Sequence, residues 1–87
     1  MAVDFRSEID KIANDGGRTR EVRTAAARCR NRYDQFHEKY KGDQARLDRA
    51  RQTETDARAA LPALLDDEAL IAKLHEVEDH YFASCGP

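Results

Sequence analysis

The apolar residues of this chain recur at intervals of three and four, the period of a helix face. Phe5, Ile9 and Ile12 share one face of a first segment. Val22, Ala26, Cys29, Tyr33, Phe36 and Tyr40 follow at spacings of 4, 3, 4, 3 and 4, an unbroken heptad seam and the strongest pattern in the sequence. Leu47, Ala50, Ala57 and Leu61 continue a seam through a third segment, with Glu54 interrupting it. Leu70, Leu74, Val77 and Tyr81 repeat the 4, 3, 4 spacing in a fourth. No run alternates apolar and polar residues as a half-buried strand would. The pattern predicts an all-α chain, a single helical domain over 1–87. Its three to four helices, over about 4–14, 19–41, 43–61 and 66–82, form a small helical bundle or a long-helix coiled-coil hairpin.

Punctuation sharpens these bounds at one end and leaves them open in the middle. Asp4 is a fair N-cap, and Asp15-Gly16-Gly17 is a stop. Tyr40 and Leu47 lie seven residues apart, so the seam stays in phase across Gly42. One helix over 19–61 would explain that, and would be about 65 Å long at 1.5 Å per residue. Lys41-Gly42-Asp43 reads equally well as last-turn cation, C′ glycine and next N-cap.

Tyr40-Lys41-Gly42, central between two helical segments, resembles a degenerate Trp-x-Gly turn of the WXG100 (ESAT-6-like) secreted helical hairpins. The resemblance implies a helix–turn–helix exported without a cleavable signal. It covers three residues, with Tyr for Trp. The C-terminal Tyr-x-x-x-Asp/Glu signal of that family has no counterpart, since Tyr81 is followed four residues on by Cys85, and the segment before Gly16 is an addition.

Composition limits how such helices can close a core. Of 87 residues, 40% are apolar, but many are alanine and there is no Trp. A chain of this length buries only about 60% of its unfolded surface, so self-association is expected to supplement the core. Charged residues make up 37%, mean hydropathy is -0.87 and net charge is -2. That excludes a polycation, and no apolar run approaches the ~20 residues of a membrane span. The first residues, MAVDFRSEIDKIA, carry acid early and do not read as a signal peptide. Two cysteines, Cys29 and Cys85, are too few for a disulfide framework, which suits the reducing cytoplasm; Cys85 reads as a thiol on a frayed tail. Arginine outnumbers lysine eleven to four, a usage that suits a GC-rich bacterial or phage genome.

Residues 18–32 hold six arginines and one glutamate, a local charge of +5 (six minus one). On a helical wheel the arginines spread round the seam: Arg23 and Arg30 flank one side, Arg18 and Arg32 the other, Arg20 and Arg28 the back. Residues 59–87 carry six acids and one lysine, or -5, so charge pairing within the chain is expected. His75, Glu76, Glu78, Asp79 and His80 resemble ligand material, but the histidines are five apart and cannot chelate one metal as an i, i+4 pair does. His75 with Asp79 and Glu76 with His80 read as surface pairs, and Asp34 with His37 shares a face. No catalytic constellation, cofactor or metal site is expected. The partner-binding candidates are the aromatic row Tyr33, Phe36 and Tyr40 and the basic Arg20, Arg23 and Arg30. The expected function is a non-catalytic protein–protein interaction module, a small adaptor or inhibitor that also forms a homodimer. The alternatives are a nucleic-acid-binding helix using 18–32 and a WXG100-like hairpin.

Overall fold

The structure, a computed structural model, describes residues 4–64 and 66–84, the side chain of Ser84 excepted. The reading of Cys85 as a tail thiol falls outside those residues. Four α-helices account for most of the fold: α1 (Phe5–Ala13), α2 (Arg20–Lys39), α3 (Gln44–Ala60) and α4 (Asp67–Ser84), with a 3-10 turn at Leu61–Ala63 leading out of α3. There is no strand among the described residues. The result is an all-α bundle, and no helix in it is long and apolar enough to cross a membrane.

Side-chain caps set the helix starts. Asp4 accepts from the Ser7 amide at 2.8 Å, which holds its carboxyl below the usual aspartate range. Thr19 accepts from Val22 at 3.4 Å and Asp43 from Arg46 at 3.2 Å. The second and third of these caps bound α2 and α3 separately, so the chain turns at Gly42 and the single helix over 19–61 does not form. Tyr40 closes α2 by donating its amide to the Phe36 carbonyl, and Asp43 donates back to the Tyr40 carbonyl at 2.8 Å. Gly42 has no positive φ, so the C′ glycine role does not apply there either. The longest dimension of the molecule is 37 Å, against about 65 Å for the continuous helix.

Helix α2 is the centre of the bundle, packed chiefly on α1 and α4. It runs antiparallel to α1, as the pairs Arg30–Asp10 and Arg6–Asp34 show, both at 2.7 Å. It runs parallel to α4, since Arg28 meets Glu78 and Arg32 meets Phe82, fifty residues apart in each case. α3 leaves the turn away from α2 and lies against α4 and α1. The coiled-coil hairpin alternative, and with it the paired helices that a WXG100-like turn implies, is therefore not what this chain forms.

The core draws on all four seams. Phe5, Ile9 and Ile12 from α1 meet Val22, Ala25, Ala26, Cys29 and Phe36 from α2, and Leu70, Leu74, Val77 and Tyr81 from α4. α3 adds only Ala50, Ala57 and the following Leu61. Phe36 and Tyr81 are each 1% exposed, with ring centroids 5.2 Å apart. The expectation that a second copy must cover the aromatic row thus loses its basis at Phe36, which the α4 tyrosine covers within one chain. Tyr33 and Tyr40 are half-buried at the margins of the same cluster.

Candidate functional site

The six residues singled out from the sequence go to different places. Phe36 is core. Tyr40 is half-buried, with the Arg46 guanidinium 4.7 Å and the Lys39 ammonium 5.3 Å from its ring centre. Tyr33 stacks on His37 with ring centroids 4.0 Å apart and meets Tyr81 edge-on at 6.3 Å. Burial raises the Tyr33 phenol above its usual range. Arg30 is tied to Asp10, and Arg23 is half-buried with its Nε enclosed and without a partner among the described residues. Of the six, Arg20 alone is exposed. The six do not form one site.

Two other assemblies do, on opposite sides of α2. The first is a stripe along the α2–α4 seam. Glu21, Thr24, Arg28, Arg32, Gln35 and Lys39 recur at 3, 4, 4, 3 and 4 and fall within about 80° on the wheel. Facing them from the parallel α4 are Ile71, His75, Glu78 and Phe82, spaced 4, 3 and 4. Two hollows open on this stripe. One, of about 400 Å³, has Ala25 and Ile71 among its walls, with Arg20, Arg28 and His75 round it. The other, of about 200 Å³, lies over Phe36 and Tyr81 and is bounded by Arg32, Lys39 and Phe82. Between them Arg28 reaches Glu78 at 3.2 Å. Phe82, 47% exposed, lies under the Arg32 guanidinium at 4.1 Å.

The second assembly is a cleft of about 280 Å³ where α1, α2 and α3 meet. Glu54, only 7% exposed, forms part of its wall. One oxygen, Oε2, accepts the Tyr81 hydroxyl at 2.6 Å and lies 2.8 Å from His37 Nε2. Burial, then the Glu54 charge and its hydrogen bond, push the Tyr81 phenol far above its ordinary range, so it stays a donor. This is what the interruption of the α3 seam accomplishes: a carboxylate at an inward position is satisfied by groups from α2 and α4. Asp34 and His37, paired in the sequence reading, part company; Asp34 holds Arg6 and His37 holds Glu54. Glu76 takes Lys73 at 3.0 Å, while the Nε2 atom of His80 is enclosed without a partner among the described residues.

Burial, followed by the charges of Glu78 and Glu54, pushes the Cys29 thiol up to about 12, far from a reactive thiolate. No cluster of three or more His, Cys, Asp or Glu among the described residues could hold a metal ion. No family model, no curated protein and no solved structure matches this chain. Its functional reading rests on its own surfaces. The sequence reading missed the stripe because each of its α2 members is polar and reads as solvated surface. The available signal was on α4, where Ile71 and Phe82 each sit one position after a seam residue, too far round to join the core.

Proposed function

We propose that the chain is a non-catalytic protein-interaction module of cytoplasmic type, and that its docking surface is the α2–α4 stripe. The partner is an acidic amphipathic helix of another protein, laid along the groove. The observation that carries this reading is the combination of apolar hollows with a cationic rim. Ile71 and Phe82 are available to an apolar face, and Arg20, Arg28, Arg32 and Lys39 line the α2 side against Glu21 alone. Glu78 on α4 is already engaged by Arg28. From Arg20 to Lys39 the stripe is about 28 Å long, room for about five turns of a partner helix. Such a contact is at the small end of specific interfaces, which suits a reversible adaptor or inhibitor.

A second copy of the chain is a poorer occupant than an acidic helix, since two stripes of the same sign would oppose each other. Nucleic acid is also poorer, because the floor is apolar and Glu21 lies within the stripe. Fluorescence anisotropy with a labelled acidic amphipathic peptide of about eighteen residues tests the reading. Binding that is lost in the double variant Arg28→Glu/Arg32→Glu, with the helical circular dichroism intact, supports it. Tighter binding to duplex or single-stranded DNA than to the peptide would move the function to nucleic acid. Absence of any binding by either probe would remove the stripe as a docking surface.

A further inference from the structure

The cleft around Glu54 is independent of that stripe. Tyr33 and His37, which wall it on α2, lie about 160° round the helix from the centre of the stripe. Glu54 uses only Oε2 to hold Tyr81 and His37. Its Oε1 has no partner among the described residues and is not enclosed, and Glu54 lines the cleft. A carboxylate anchored through one oxygen and open through the other is a fixed acceptor for a cationic donor.

Two guanidiniums stand beside it. Arg51 is one turn before Glu54 on α3 and Arg58 one turn after, on the same face. Both line the cleft, and neither has an acidic partner among the described residues, Glu54 being turned to α2 and α4. Asp4 adds a second carboxylate at the α1 edge. A simple anion would meet Glu54 and Asp4, and a simple cation would meet Arg51 and Arg58. A molecule carrying both charges satisfies both sets. The volume of about 280 Å³ lies just under the range of small-molecule pockets, which begins at about 300 Å³. Phe5 and the Tyr33 ring supply apolar wall.

We infer that this cleft binds a free amino acid, with its ammonium on Glu54 Oε1, its carboxylate on the α3 arginines and its side chain against Phe5 and Tyr33. The site lies apart from the docking stripe and does not depend on the interaction reading.

The test is a titration followed by nuclear magnetic resonance of the full chain. It compares leucine with 3-methylbutylamine, which lacks the carboxylate, and with 4-methylpentanoate, which lacks the amine. Leucine is expected to shift Tyr33, His37 and Thr55 and to bind at least about tenfold more tightly than either analogue, the value of one charge-assisted contact. Arg51→Gln/Arg58→Gln changes only exposed side chains and should weaken leucine about tenfold with the fold intact. Glu54→Gln, if folded, should abolish the advantage of leucine over 4-methylpentanoate. Equal binding of either single-charge analogue overturns the proposal. So does an absence of shifts round the cleft at tens of millimolar leucine, or unchanged leucine binding in the arginine variant.

Discussion

α2 and α3 are alike in composition and unlike in how they are held. Both are rich in arginine and acid, and both have helical starts fixed by a side-chain cap. α2 buries Val22, Cys29 and Phe36 together with two alanines, between neighbours on two sides. α3 buries two alanines and a glutamate. Apolar burial at about 25 cal/mol per Å² can fasten α2; methyl groups give α3 far less. What fixes α3 in register is Glu54, which reaches a phenol on α4 and an imidazole on α2 with a single oxygen. One charged helix is placed by hydrophobic area, the other by a buried polar junction, and the two should fail differently.

The largest expected effect is on the α2 side. Phe36→Ala empties a site that Tyr40 and Tyr81 enclose at centroid distances of 5.0 and 5.2 Å, and should cost about 3–5 kcal/mol in denaturant unfolding. A loss below about 1 kcal/mol would mean that the aromatic row is not core. Next comes the junction. Tyr81→Phe keeps the ring and removes one donor from Glu54, so about 1–3 kcal/mol should go. Hydrogen exchange should then quicken in α3 more than in α2. Equal quickening in both helices would break the distinction between them.

Titration sharpens the same contrast. The Tyr81 phenol and Cys29 thiol are held above their ordinary values of 10.0 and 9.0, so the folded state keeps protons that the unfolded chain gives up. The Cys29 contribution is whole below pH 9 and is lost as pH rises through about 12, while that of Tyr81 declines only above pH 10, each at up to about 1.4 kcal/mol per unit. Tyr81→Phe and Cys29→Ala should each flatten this alkaline decline. At the acid end the sign reverses. Asp34 is lowered from 3.8, first by its hydrogen bond from Arg6, so its contribution is present above that value and lost as pH falls below it. Because the pair is exposed, Asp34→Asn should trim the acid sensitivity only slightly.

The smallest effect concerns the turn between the two helices. A Cβ on Gly42 would meet nothing within 4 Å, and the residue has no positive φ. Gly42→Ala should therefore stabilise by about 0.4–1 kcal/mol, through the unfolded chain. Destabilisation would point to a backbone need that this geometry does not contain.

The contrast also explains what could be read from the sequence. Every seam residue of α1 and α4 is buried, because a large apolar side chain at a 3.6 period has one place to go. The turn at Gly42 stayed open because phase across it is compatible with either a helix or a corner; the Asp43 cap and the Tyr40 closure decide it. The parallel pairing of α2 with α4 was not legible. Opposite charges on 18–32 and 59–87 suggested contact, but among the described residues Arg28–Glu78 is the one ion pair between α2 and α4, while Arg30 turns to α1. Glu54 was visible only as an irregularity. Its partners lie 17 and 27 residues away, beyond any local pattern.

α2 is thus closed on its seam side by its own chain and open on the side it shares with α4. The most direct test maps amide shifts as the acidic amphipathic peptide is added. Movement is expected at Thr24, Arg28 and Gln35 on α2 and at Ile71 and Phe82 on α4, with α3 undisturbed. Shifts centred on α3, or none under conditions where the peptide is bound, would contradict it.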